Sequence, residues 1–99
     1  MRVRRTSPVH PGEVLREEFL KPLGVSRCRL AKDIGLRPTR VSQILHGKAG
    51  VSADTALRLA RYFRVSPEFW LNLQARHDLE VARDKAAGRI EKEVDVFAA

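Results

Sequence analysis

The stretch RCRLAKDIGLRPTRVSQILH, Arg27 to His46, carries two helical patterns separated by a glycine. Leu30 and Ile34 repeat at i, i+4 before Gly35, and Val41, Ile44 and Leu45 repeat at i, i+3, i+4 after it. With Arg27 as position one, position five is Ala31, small enough for two helices to cross closely. Position nine is Gly35, which supplies the left-handed backbone of a tight interhelical turn. Positions four, eight, ten, fifteen and eighteen are Leu30, Ile34, Leu36, Val41 and Ile44, apolar as a sealed helix pair requires. An ordinary helical hairpin matches one of these positions easily, but not all seven. The pattern predicts a helix-turn-helix unit over about residues 26–47.

Working outward, helix starts and stops recur at short intervals. Pro11, with Glu13 behind it, suits a first helical turn. Leu15, Phe19 and Leu23 then fall on one face, and Pro22 with Gly24 is expected to end that helix. Ser26 caps a second helix through Ile34, and a third runs from Pro38 to about His46 and ends at Gly47. Ser52 caps a fourth, with Ala53, Ala56, Leu57, Ala60 and Phe63 expected inward. Ser66 and Pro67 open a long fifth, extending to about Ala87 before Gly88, with Phe69, Trp70, Leu73 and His77 toward the body. The expected fold is all-α, five helices over 10–87, with a flexible basic arm at 1–9 and a tail at 88–99. In the tail, Glu93–Val96 alternates like a strand, but the run is short and terminal disorder is the expectation.

Composition narrows the partner. Ninety-nine residues supply one modest core. No apolar run spans a membrane, the N-terminus has no secretory pattern, and the single Cys28 cannot close an intrachain disulfide. A soluble cytoplasmic domain is expected. The net charge of +7 is unevenly placed: residues 1–48 hold 11 Lys/Arg against 4 Asp/Glu, whereas residues 49–99 hold 8 of each. A basic half beside a neutral one suits a polyanion held on one face.

That face is predicted from the third helix. Arg37 takes the N-cap position, forgoing an oxygen cap worth ~0.5–2 kcal/mol. In exchange it places a cation where a helix-turn-helix protein meets the phosphates and base edges of the DNA major groove. With Val41, Ile44 and Leu45 inward, Arg37, Thr39, Arg40 and Gln43 are the expected base readers. Arg grips guanine O6 and N7 with two bonds, and Gln does the same with adenine N6 and N7. Arg27, Ser42 and Lys48 are expected on phosphate, where they set register without reading sequence. Arg2, Arg4 and Arg5 of the arm are free to reach the backbone as well.

Three segments carry a wider resemblance: HPGEVLREEFLKPLG from His10, RPTRVSQILHGK from Arg37 and VSADTALRLARYFRVSPEFWLNLQ from Val51. Over about residues 10–75 the chain resembles HigA-type antitoxins of the Xre, or lambda-repressor-like, group. The resemblance implies a small dimer that represses its own operon and masks a cognate toxin. That toxin is usually an mRNA-cleaving ribonuclease of the RelE/HigB-like fold. Arg37 stands where that family usually has serine or a similar cap, and His46 where asparagine is common; both bear on the operator sequence, not on the binding mode. A stand-alone regulator with the same domain, and a helical interaction module without DNA binding, are the competing readings.

Other features carry less. His10, His46 and His77 lie 36 and 31 residues apart with no ligand-spaced cysteine, so no metal or other cofactor is expected. Cys28 is expected as a half-packed thiol, since no histidine–acid arrangement accompanies it. Adjacent Glu17 and Glu18 point to different sides of a helix, and catalysis has no support. One helix-turn-helix buries only ~600–1,000 Å² on DNA, so two copies ~34 Å apart are expected. The fifth helix, with Phe69, Trp70 and Leu73, is the expected dimer contact, set against the alternative that these side chains only complete the core.

Overall fold

The computed structural model describes residues 8–98. The expected arm therefore falls, but for Pro8 and Val9, outside the described residues, and with it Arg2, Arg4 and Arg5. Six helices follow one another, with no strand among the described residues. Helix α1 runs without a break through Pro11–Val14, Leu15–Leu20 and Lys21–Leu23; α2 is Arg27–Ile34 and α3 is Pro38–Leu45. Helix α4 is Ala53–Phe63, α5 is Pro67–Ala86 and α6 is Arg89–Glu93.

The middle of α1 is π-helical, with the Lys21 N–H donating to the carbonyl of Arg16. Pro22 lies inside the last turn, and the helix stops at Gly24. Proline in an α-helix meets the carbonyl four residues back, and the wider turn gives that carbonyl room. The extra residue also rotates everything after it by about 100°. Leu20 takes the buried place at 6 % exposure, and Leu23, expected inward, is 61 % exposed. Gly24 then ends the helix in the left-handed conformation, φ 66°.

Helices α2 and α3 form the expected pair. Ser26 Oγ accepts from the Arg29 N–H at 3.1 Å, and Gly35 turns the chain at φ 75°. Leu30, Ala31, Ile34, Val41 and Ile44 are buried, with Leu36 packed against them. Helix α3 packs on α2 and α1, whereas α4 packs on α5 and α2. Ser52 caps α4 through the Thr55 N–H at 3.2 Å. The inward face of α4 is Thr55, Ala56 and Leu59; Ala53 and Leu57, expected there, are exposed. A buried threonine disguised that face, its hydroxyl satisfied by Ser52 at 3.2 Å.

Trp70 closes the core at 0 % exposure, with the rings of Phe19 and Phe69 each 5.0 Å away. This corrects the expected dimer contact at Trp70, whose ring has no surface left for a second copy. Phe69 is 36 % exposed and Leu73 is packed against the core in part. The first turns of α5 belong to the body; beyond Gln74 only Ala86 is buried. The 20-residue helix, about 30 Å long, therefore projects and draws the molecule out to 53 × 30 × 24 Å. Ala87 and Gly88 both hold positive φ and break the helix, and α6 restarts it. The tail is thus part helix, and neither strand nor wholly irregular as expected.

Candidate nucleic-acid interface

Helix α3 is built to show one face. Arg37 holds the N-cap in an extended conformation, φ −70° and ψ 143°, with no side-chain cap bond, and Pro38 follows as the first helical residue. The rear is sealed by Val41, Ile44 and Leu45. Thr39, Arg40 and Gln43 are exposed, on the side that those three leave free. Among the described residues the side chains of Arg37, Arg40 and Gln43 take no hydrogen bond or ion pair. Guanidinium and amide groups at the start of a helix, unclaimed by the protein, are available to a ligand.

The expected phosphate contacts are placed separately. Arg27 is exposed at the first turn of α2, and Lys48 is exposed just past Gly47, beyond the end of α3. Neither is paired within the described residues. Ser42 is half-buried, its Oγ 3.4 Å from His46 Nδ1, and so is less open to a phosphate than the rest. His46 Nδ1 lies 2.8 Å from the Ser42 carbonyl, to which it donates, tying off the last turn of α3. Cys28 is exposed, where a half-packed thiol was expected.

Three groups that hold the α2–α3 pair in place were not foreseen. Arg16 Nη1 donates to the Leu45 carbonyl at 2.6 Å, satisfying a helix-end acceptor with a positive charge. Arg58 Nη1 does the same for α2, at the Ile34 carbonyl, 2.8 Å. Gly12 lies so close to the Ile44 carbonyl that an added Cβ would stand 1.8 Å from it, so only glycine permits this crossing. The sequence separations are 29 and 24 residues for the two arginines, beyond any helical period. His10 is a helix cap. Its Nδ1 accepts from the Gly12 N–H at 2.9 Å, capping α1, and its ring meets His77 edge-on at 4.8 Å. Among the described residues no three His, Cys, Asp or Glu side chains are grouped to hold a metal.

A helix sealed behind, polar in front and joined to its neighbour by a glycine turn defines a helix-turn-helix protein. Residues 17–70 match the family model described as "Helix-turn-helix". The chain is 38 % identical over 85 residues to antitoxin HigA-1 of Vibrio cholerae, covering 86 % of this chain and 80 % of that one. It superposes on Pseudomonas aeruginosa antitoxin HigA, solved with the higBA promoter, at TM-score 0.88 and 40 % identity, over 92 % and 99 % of the two chains. Antitoxin GraA, solved in complex with its operator, gives TM-score 0.88 and 42 % identity over the whole of both chains. The chain belongs to the helix-turn-helix family, in its Xre-like group of HigA-type antitoxins.

Proposed function

We propose that the chain is a sequence-specific DNA-binding antitoxin of the cytoplasm. It represses its own toxin–antitoxin operon and neutralises a cognate RelE/HigB-like mRNA-cleaving ribonuclease by binding it. The observation that carries this reading is the free outward face of α3, where Thr39, Arg40 and Gln43 stand unclaimed on a helix whose rear is packed. Arg37, Thr39, Arg40 and Gln43 read base edges in the major groove, and Arg27, Ser42 and Lys48 hold phosphates. The basic arm, residues 1–9, adds backbone contacts beside the domain at 10–87. Two copies act together on two half-sites, paired through the projecting part of α5 and the rim of Phe69 and Leu73. No catalytic step, metal or cofactor enters this function.

The reading is supported by the operator and promoter complexes of the two structural relatives and by the unpaired cations of this chain's own interface. Its test has two arms. The chain is mixed with the DNA upstream of its own gene, where protection of a paired half-site is expected. It is also co-expressed with the neighbouring gene, where a stable complex and rescue of growth arrest are expected. Protection without a complex would leave a stand-alone regulator, and absence of both would overturn the proposal.

A further inference from the structure

A shallow cleft of about 440 Å³ opens where α4 meets the end of α2, lined by Asp33, Ile34, Arg58, Arg61, Tyr62 and Arg64. Its charges are not all equivalent. Asp33 is occupied: the Tyr62 hydroxyl donates to it at 2.6 Å and Arg29 Nε lies 3.4 Å away. These bonds, the Tyr62 one first, hold its carboxyl below the ordinary carboxylate range. Arg58 is occupied too, by Asp54 at 2.8 Å and by the Ile34 carbonyl. Arg61 and Arg64 are exposed and have no partner among the described residues. Arg64 holds φ 58°, a left-handed conformation that ends α4 there. The cleft therefore offers two free guanidinium groups one helical turn apart, which suits two carboxylates at alternate positions of an extended strand, about 7 Å apart.

The chain carries such a pair where α6 ends: Glu93 is its last residue and Asp95 lies in the extended chain beyond. Glu93 and Asp95 alternate with Val94 and Val96, and Val94 leaves α6 in extended geometry, φ −115° and ψ 119°. Val96 and Phe97 are almost wholly exposed, and among the described residues the only claim on these acids is an exposed Arg89–Glu93 pair at 3.4 Å. The tail cannot serve its own cleft. Arg64 sits at the start of α5 and the tail beyond its end, about 30 Å away along the helix. Even folded straight back through α6, Asp95 reaches only about 20 Å. A second copy removes the difficulty. On the projecting half of α5, Ala75, Leu79 and Ala82 make an exposed apolar stripe at i, i+4, i+7. Two such helices packed antiparallel bring each tail beside the other's α4–α5 turn.

We propose that the acidic tail of a second copy of this chain docks in the cleft, with Glu93 and Asp95 on Arg61 and Arg64. The proposal rests on the two-fold dimer put forward above, and it assigns the tail and the second arginine cluster to that dimer and away from DNA. Both contacts occur twice, giving four exposed ion pairs whose combined loss weakens the dimer by about tenfold at low salt.

Sedimentation equilibrium of the full chain tests it, with circular dichroism as the check on folding. Arg61→Glu/Arg64→Glu and, separately, Glu93→Arg/Asp95→Arg are each expected to raise the dimer dissociation constant about tenfold. All four changes in one chain are expected to restore it to within a few-fold, because the charges are exchanged and not lost. Losses that add in the fourfold variant, or doubles that dimerise like the natural chain, would overturn the tail contact while leaving the dimer. A natural chain that remains monomeric would overturn the dimer itself. Weaker binding of random duplex by Arg61→Glu/Arg64→Glu with an unchanged dimer would assign the two arginines to DNA phosphates and also overturn the proposal.

Discussion

Helix α3 and the projecting half of α5 are both surface helices, yet they are exposed for different reasons. Helix α3 has three of its eight residues buried, Val41, Ile44 and Leu45, and what it shows outward is polar and unpaired. Beyond Gln74, α5 buries only Ala86 and shows an apolar stripe interrupted by charges. An amphipathic helix with its apolar side sealed has finished its packing, and its free face is available for a polyanion. A helix of mixed faces that leaves the body keeps apolar side chains in contact with solvent, and these are the ones the proposed dimer would cover. On the proposed function, the two halves of the molecule divide recognition from assembly.

The sharpest break of that contrast is in stability. Trp70 lies at the point where α5 leaves the core, and Trp70→Ala is expected to cost about 3–5 kcal/mol by denaturant unfolding. Leu79→Ala, on the projecting part at 51 % exposure, is expected to cost less than about 1 kcal/mol in the monomer. Trp70→Phe is expected to lie well below Trp70→Ala, because among the described residues the indole N–H has no hydrogen-bond partner to lose. Equal losses at Trp70 and Leu79 would mean that the far half of α5 is not separate from the core.

Next in size is the recognition face. Arg40→Ala is expected to lower operator affinity by about 1–3 kcal/mol and random-duplex affinity much less, with stability within ~0.5 kcal/mol of the natural chain. Gln43→Ala is expected to behave alike at a different base pair. Lys48→Ala is expected to weaken all sequences equally and to reduce the salt slope by about 0.9. Competition binding across a salt series separates the two kinds of residue. Equal losses on specific and random DNA for Arg40→Ala would move it to the phosphates.

The division also governs what the sequence could disclose. The α2–α3 pair was legible because every constraint on it is local: a small Ala31 at the crossing, Gly35 in the turn, and apolar residues at fixed spacing. Leu23 misled because a π-turn adds one residue to the period, and no residue type announces that insertion. Leu57 misled because the true seam of α4 uses a threonine whose polarity is satisfied inside. Arg16 and Arg58 were invisible for a different reason. Each serves a carbonyl on another helix, and a carbonyl has no identity in the sequence. The length and caps of α5 were legible, but its projection was not, since a helix of mixed faces looks the same whether it is covered or free.

Arg16 is the hidden residue with the larger expected effect. Arg16→Met keeps most of the stem while removing the charge and the bond to Leu45, and it is expected to cost about 1 kcal/mol of stability. Because the end of α3 then loses its hydrogen-bonded tie to α1, specific binding is expected to fall more than random binding. Lysine, a point charge on a flexible stem, is expected to recover the stability in part and the discrimination less. A variant that loses both kinds of binding equally would make Arg16 a support of the fold with no influence on how α3 is aimed.

The smallest effect is expected in the pH profile, and it comes from the end of α1 that touches both halves. His10 can accept from the Gly12 N–H only while its Nδ1 is unprotonated. Burial, and then the His77 ring beside it, lower its proton affinity below the ordinary value of 6.5, while Asp78 and the Ala49 backbone oppose them. As pH falls through 6.5 the unfolded chain therefore takes up the proton first, and stability declines until the folded chain's own lower value is passed. His10→Asn retains a good N-cap acceptor and removes the titration, so the difference in unfolding free energy between variant and natural chain should shrink or reverse on acidification from pH 7. His77→Gln should keep part of the decline, because burial acts on His10 without it. If His10→Asn leaves the decline intact, the acid sensitivity belongs to carboxylates such as Asp33 and Glu17, and the cap at Gly12 is indifferent to protonation.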